Sequence, residues 1–274
     1  MKTLIYPILF SLVLIFYSCG HRTEQPCDDH FIKGNNYFLS TDFDNSLLEF
    51  DTAIKFDAQN VNAFYGKGNI YLFKCEYEKA IENFTSAIKI DSKFTLAYYA
   101  RGGAKKMSGR SKDALIDYDK AIELKPDFVY AIIQAGSLEA ELGNHQKAIE
   151  YMTNAIKLQP NLYYAYFNRG SFKHNVGDVN GAIRDYTKVL ELDKDNIDGY
   201  YYRGVAYGEI KEYENAINDM NKAIELNTDF KKAYIYRGFY EYSLNRKEDA
   251  CIDFKKAKEL GEPTAKSYIE KYCK

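Results

Sequence analysis

The stretch Asp198 to Gly204 reads Asp-Gly-Tyr-Tyr-Tyr-Arg-Gly. Tyrosine rings stack on sugars and bases, and arginine grips phosphate or carboxylate through a fork of N–H donors, so this composition has the chemistry of a ligand site. Residues for catalysis are scarcer. His21, His30, His145 and His174 lie far apart in the chain. No GxxxxGK[ST] loop, HExxH, CxxC or GxSxG motif occurs. No catalytic residue, metal site or cofactor is therefore expected.

The elements that carry the stretch are repeated. It recurs as YYARG at 98–102, YFNRG at 166–170 and YIYRG at 234–238. Residues 27–60, 61–94, 95–128, 129–162, 163–196, 197–230 and 231–264 overlay without insertion at a period of 34. Position 8 is glycine in all seven units, from Gly34 to Gly238, and positions 20 and 27 are small in almost all. Position 24 is large and apolar, as in Phe50, Tyr118, Met220 and Phe254. Apolar spacing predicts two helices per unit, at positions 2–14 and 18–30, with Gly109, Gly143 and Gly177 in the break between them.

Position 7 is arginine in four units, and in each of these position 23 is aspartate. The unit with Ala135 at position 7 has Tyr151 at position 23. This co-occurrence predicts ion pairs within the unit, Arg101–Asp117, Arg169–Asp185, Arg203–Asp219 and Arg237–Asp253. Arg203 and Asp219 are thus read as structural.

The pattern of glycine, small residue, aromatic and small residue, with Pro126 and Pro160 closing two units, resembles the tetratricopeptide repeat over residues 27–264. The resemblance implies an all-α fold, a right-handed superhelical solenoid of seven helix-turn-helix repeats whose first helices line a concave groove. A polar-backed capping helix is expected at 265–274 to cover the exposed end of the stack. The resemblance also implies that position 4, including Tyr200, packs between helices while positions 2, 5, 9 and 12 face the groove. The partner-binding groove then comprises Tyr65, Tyr99, Phe167 and Tyr201 at position 5, Tyr130 and Tyr164 at position 2, and His174 at position 12. Tyr202 receives no role. The family's carboxylate clamp needs a lysine where Phe31 stands, so that ligand is disfavoured although Asn35 fits.

The N-terminus reads as an export signal at 1–18, with Lys2 followed by an apolar run from Leu4 to Tyr17. Ser18–Cys19 at its end resembles a bacterial lipoprotein signal, which implies lipid on Cys19 and a short tether at 19–26. The expected location is a bacterial membrane, the outer membrane in the first instance. Cys251 and Cys273 either form a disulfide that braces the last repeat or remain two buried thiols; export permits the bond.

With 37 basic and 39 acidic residues and no run of like charge, nothing marks a nucleic-acid partner. The functional expectation is a non-enzymatic interaction scaffold of the cell envelope, binding an extended peptide or a partner protein in an aromatic groove. A carbohydrate- or peptidoglycan-binding lipoprotein using the same tyrosines is the alternative.

Overall fold

The computed structural model describes residues 26–274. The signal peptide expected at 1–18, the expected lipidation at Cys19 and the expected tether up to residue 25 lie outside the described residues. Among the described residues the chain forms fifteen α-helices and no strand. They run α1 (Pro26–Leu39), α2 (Phe43–Phe56), α3 (Val61–Phe73), α4 (Tyr77–Ile90), α5 (Thr95–Met107), α6 (Ser111–Leu124), α7 (Val129–Glu141) and α8 (His145–Leu158). They continue as α9 (Tyr163–Asn175), α10 (Val179–Leu192), α11 (Ile197–Glu209), α12 (Tyr213–Leu226), α13 (Lys231–Ser243), α14 (Lys247–Glu259) and α15 (Ala265–Tyr272).

Helices begin about one residue earlier than the apolar spacing predicts, because the capping residue sits at the preceding boundary. Asn60, Asn196 and Asp178 each accept a hydrogen bond from the backbone N–H three residues on, which fixes the first turn of α3, α11 and α10. The turn that closes the first helix of every repeat has a left-handed residue at position 15. Glycine takes that place at Gly109, Gly143 and Gly177, and Thr41, Cys75, Lys211 and Asn245 take it elsewhere. At Gly109 the turn is closed by N–H donation from Gly109 to the Lys106 carbonyl at 3.0 Å and from Arg110 to the Lys105 carbonyl at 2.8 Å.

The chain divides into two compact units, Met1–Ala135 and Gly136–Lys274, with the division inside α7. In the N-terminal unit, α1/α2, α3/α4 and α5/α6 form antiparallel pairs, and α2 packs on α3 and α4 on α5. The rings at position 24 fill each pair. A Cβ placed on Gly68 would stand 2.4 Å from the Phe84 ring, which is why position 8 accepts only glycine there.

In the C-terminal unit, α9/α10, α11/α12 and α13/α14 repeat the arrangement, with Tyr186, Met220 and Phe254 in the same interior position. The capping helix α15 lies on α14. Its Tyr268 and Tyr272 meet Phe239 and Phe254, burying the aromatic end of the stack. Cys251 of α14 and Cys273 after α15 are joined by a disulfide with their Cα atoms 5.6 Å apart.

Candidate functional site: the faces of the first helices

The arginines of position 7 are occupied. Arg203 donates from Nε and Nη2 to the two oxygens of Asp219 at 2.8 and 2.7 Å. Arg101, Arg169 and Arg237 hold Asp117, Asp185 and Asp253 in the same bidentate way. The four aspartates are buried. Burial pushes the carboxyls of Asp219 and Asp253 above the usual range, while the paired guanidinium pulls the other way. Lys105 and Lys173 add a second cation to Asp117 and Asp185 at 2.8 Å.

Each guanidinium also reaches the preceding repeat. Nη1 donates to Thr85, Thr153, Thr187 and Asn221, all at position 25 of the unit before, at 2.6 to 3.2 Å. Lys67, where the arginine is missing, pairs with Asp51 at that position. The arginine therefore bolts repeat to repeat as well as helix to helix. The sequence carried this signal, since a hydrogen-bonding residue precedes every position 7 arginine by sixteen residues. Tyr98, Tyr166, Tyr200 and Tyr234 at position 4 lie against these guanidinium groups at 5.4 to 5.8 Å.

The position 5 tyrosines need a correction. Tyr65, Tyr99 and Tyr201 are only 2, 6 and 8 % exposed, so their rings do not form an open ladder. The cause is the aromatic at position 34, which folds over them. Phe94 lies 5.2 Å from Tyr65, Phe128 5.0 Å from Tyr99 and Phe230 5.0 Å from Tyr201. Where position 34 is Asn196, the ring of Phe167 is left half-buried. Tyr130 is 42 % exposed. Tyr164 is half-buried, with its ring edge-on to Tyr163 at 5.9 Å.

Tyr202, one residue further along α11, is 41 % exposed. Its ring stacks on Tyr186 at 6.0 Å and meets Phe167 and Tyr201 edge-on at 5.4 and 5.1 Å. Tyr236, its equivalent on α13, crosses Tyr201 at 5.6 Å and lies 6.1 Å from Tyr240. His174 does face this surface: its Nε2 is 2.9 Å from Glu209 Oε1. Burial, above all, raises the hydroxyls of Tyr186, Tyr201 and Tyr240, with neighbouring phenols and the carboxylates of Glu209 or Asp198 adding to it. The patch is thus phenol-rich.

In a helix, positions 2, 6, 9 and 13 share one face. In the N-terminal unit that face exposes Ile32, Leu39, Phe73 and Met107, each more than half open to solvent. Leu39, Phe73 and Met107 occupy position 13 of three successive first helices. Among the described residues no group of three metal-binding side chains occurs, and no helix is long and apolar enough to cross a membrane.

Family profiles described as tetratricopeptide repeat match residues 61–94, 96–128, 129–162 and 197–230, and one described as TPR repeat matches 174–211. No curated protein matches the sequence. Among solved structures, YrrB, described as a TPR protein with an unusual peptide-binding site, is 25% identical over 67% of this chain and 95% of its own, with a TM-score of 0.61. MamA is 26% identical over 64% of this chain and 96% of its own, at 0.60. The C-terminal part of a TPR repeat-containing protein from Cytophaga hutchinsonii reaches 0.76 at 18% identity over 86% of this chain and 98% of its own, a likeness of fold. With family profiles covering more than half of the chain and solenoids of the same repeat among its structural neighbours, the chain belongs to the tetratricopeptide repeat family.

Proposed function

We propose that this protein is a non-enzymatic interaction scaffold that binds a partner protein or an extended peptide along the faces of its first helices. The observation that carries this reading is the set of large side chains that packing leaves uncovered there, Leu39, Phe73 and Met107 in one unit and Tyr202 in the other. Apolar side chains repeated on one face, rather than scattered singly, mark interaction surface. YrrB, at 25% identity, is described as having a peptide-binding site, which supports the same use of the fold. The carbohydrate reading relied on an open tyrosine ladder, and burial of Tyr65, Tyr99 and Tyr201 weakens it.

The setting remains the one that the N-terminal sequence suggests: export, lipidation of Cys19 and retention at the outer membrane. Two or three acyl chains would hold the protein stably, since a single chain binds only marginally. Metabolic labelling with an alkynyl fatty acid tests this, with label expected on the wild type and lost in Cys19→Ala. For the scaffold reading, Leu39→Ser and Met107→Ser together should leave the melting temperature nearly unchanged and abolish co-purification of the native partner. Retained co-purification would refute a role for that face.

A further inference from the structure

Position 34 decides how far the ring at position 5 is covered. Of the five repeats with an aromatic residue at position 5, three carry phenylalanine at position 34 and two carry asparagine, Asn60 in the repeat of Phe31 and Asn196 in the repeat of Phe167. The three phenylalanines lie against Tyr65, Tyr99 and Tyr201 with ring centroids 5.0 to 5.2 Å apart. Those tyrosines are buried, whereas Phe31 and Phe167 are half-buried. One ring-sized place is therefore filled within the chain at three repeats and left uncovered at two.

The two uncovered rings differ in their surroundings. On α11, Tyr202 meets Phe167 edge-on at 5.4 Å with the ring planes 81° apart, and it is held upright by stacking on Tyr186 at 6.0 Å. Tyr202 remains 41 % exposed. Position 6 of the repeat after Phe31 is Gly66, which offers no second ring. Asn196 is held away from Phe167 because both ends of its amide are engaged: Oδ1 accepts from the Gly199 N–H at 2.8 Å and Nδ2 donates to Asp193 at 2.8 Å. Capping α11 and covering Phe167 are thus exclusive uses of one position. What results is a notch with two aromatic walls, Phe167 and Tyr202.

We propose that this notch receives a phenylalanine side chain of the bound partner segment, which completes from outside the ring cluster that Phe94, Phe128 and Phe230 complete within the chain. This rests on the scaffold reading and specifies one side chain that the segment must present. Phe167 is the floor, Tyr202 the wall, and the cap at Asn196 keeps the mouth open. Edge-on and offset ring pairs favour an aromatic side chain over an aliphatic one of similar area.

The test is saturation-transfer NMR on the full chain, with the N-acetyl amides of phenylalanine, leucine and lysine as probes. Phenylalanine should bind about three- to tenfold more tightly than leucine, the margin expected of an aromatic pair beyond the area it buries. Asn196→Phe installs the residue that three repeats already carry, and should abolish this preference while the chain stays folded. Tyr202→Ala removes the wall without filling the notch, and should bring phenylalanine down to the level of leucine. Equal affinity for the two, tighter binding of lysine, binding of no probe, or a phenylalanine preference that survives both variants would overturn the notch. None of these outcomes touches the scaffold reading, which fails separately if Leu39→Ser and Met107→Ser leave co-purification of the native partner intact.

Discussion

Arg203 grips both carboxylate oxygens of Asp219, at 2.8 and 2.7 Å, and its third nitrogen donates to Thr187 of the preceding repeat at 3.2 Å. One side chain thus fixes the register of two helices and the seam between two repeats. Arg203→Ala should lower stability by about 3 to 5 kcal/mol, because it strands the buried Asp219 charge. Arg203→Lys should recover only part, since a lysine cannot span both partners. Chemical denaturation measures both; an unchanged midpoint for Arg203→Ala would contradict the assignment.

Lys211 sits at position 15 with φ +65, a left-handed backbone that three other repeats assign to glycine. A side chain there costs about 1 kcal/mol. Lys211→Gly should therefore raise stability by a few tenths to about 1 kcal/mol, less what glycine adds to the freedom of the unfolded chain. A lowered thermal midpoint would show that Lys211 makes a compensating contact.

The Cys251–Cys273 disulfide has a sequence separation of 22 residues and ties α15 to the last repeat. Chain-entropy arguments give about 3 kcal/mol for a loop of this length. Reduction, or Cys251→Ser, should lower the thermal midpoint and speed amide exchange in α15 before other helices. Uniform exchange throughout the chain would argue that the cap and the repeats open as one.

Burial raises the Tyr65 hydroxyl to about 12 and moves Tyr186, Tyr201 and Tyr240 in the same direction. The unfolded chain ionises these groups near 10, so between about pH 10 and 12 it releases protons that the folded protein keeps. Stability from these four is complete below pH 10 and is lost as pH rises through the folded values, at roughly 1.4 kcal/mol per group per pH unit. Ultraviolet titration should show most phenols ionising first and a late group ionising together with unfolding. A single smooth titration with the fold intact would contradict their burial.

Much of this was legible in the sequence. Helix pairs, their small-residue contacts and the Arg–Asp pairs follow from residues recurring at fixed positions, and the structure places them as expected. The exposed face was harder to read. Tyr201 and Tyr202 are adjacent and chemically identical, and rings from two other elements, Phe230 at position 34 and Tyr236 on α13, cover Tyr201 while Tyr202 remains 41 % exposed. Assigning the groove to position 5 overlooked that covering aromatic. Charge pairing alone does not reveal the reach of Arg203 to Thr187, because this third partner is a neutral hydroxyl.

The same distinction yields a matched pair of variants. Tyr201→Ala should destabilise the protein by about 3 to 5 kcal/mol, as expected for removing a buried aromatic ring. Tyr202→Ala, which removes edge and stacking contacts from a ring 41 % exposed, should cost less, about 1 to 2 kcal/mol. Equal losses of stability from the two would contradict the assignment of one ring to packing and the other to a partner.

Photocrosslinking in the native cell tests recognition through the faces of the first helices most directly. A photoreactive phenylalanine analogue at Tyr202 on α11 is compared with the same residue at Ile252 on the second helix α14, which is 63 % exposed. A discrete protein adduct is expected from position 202 and none from position 252. No adduct from 202, or the same pattern from both positions, would contradict it.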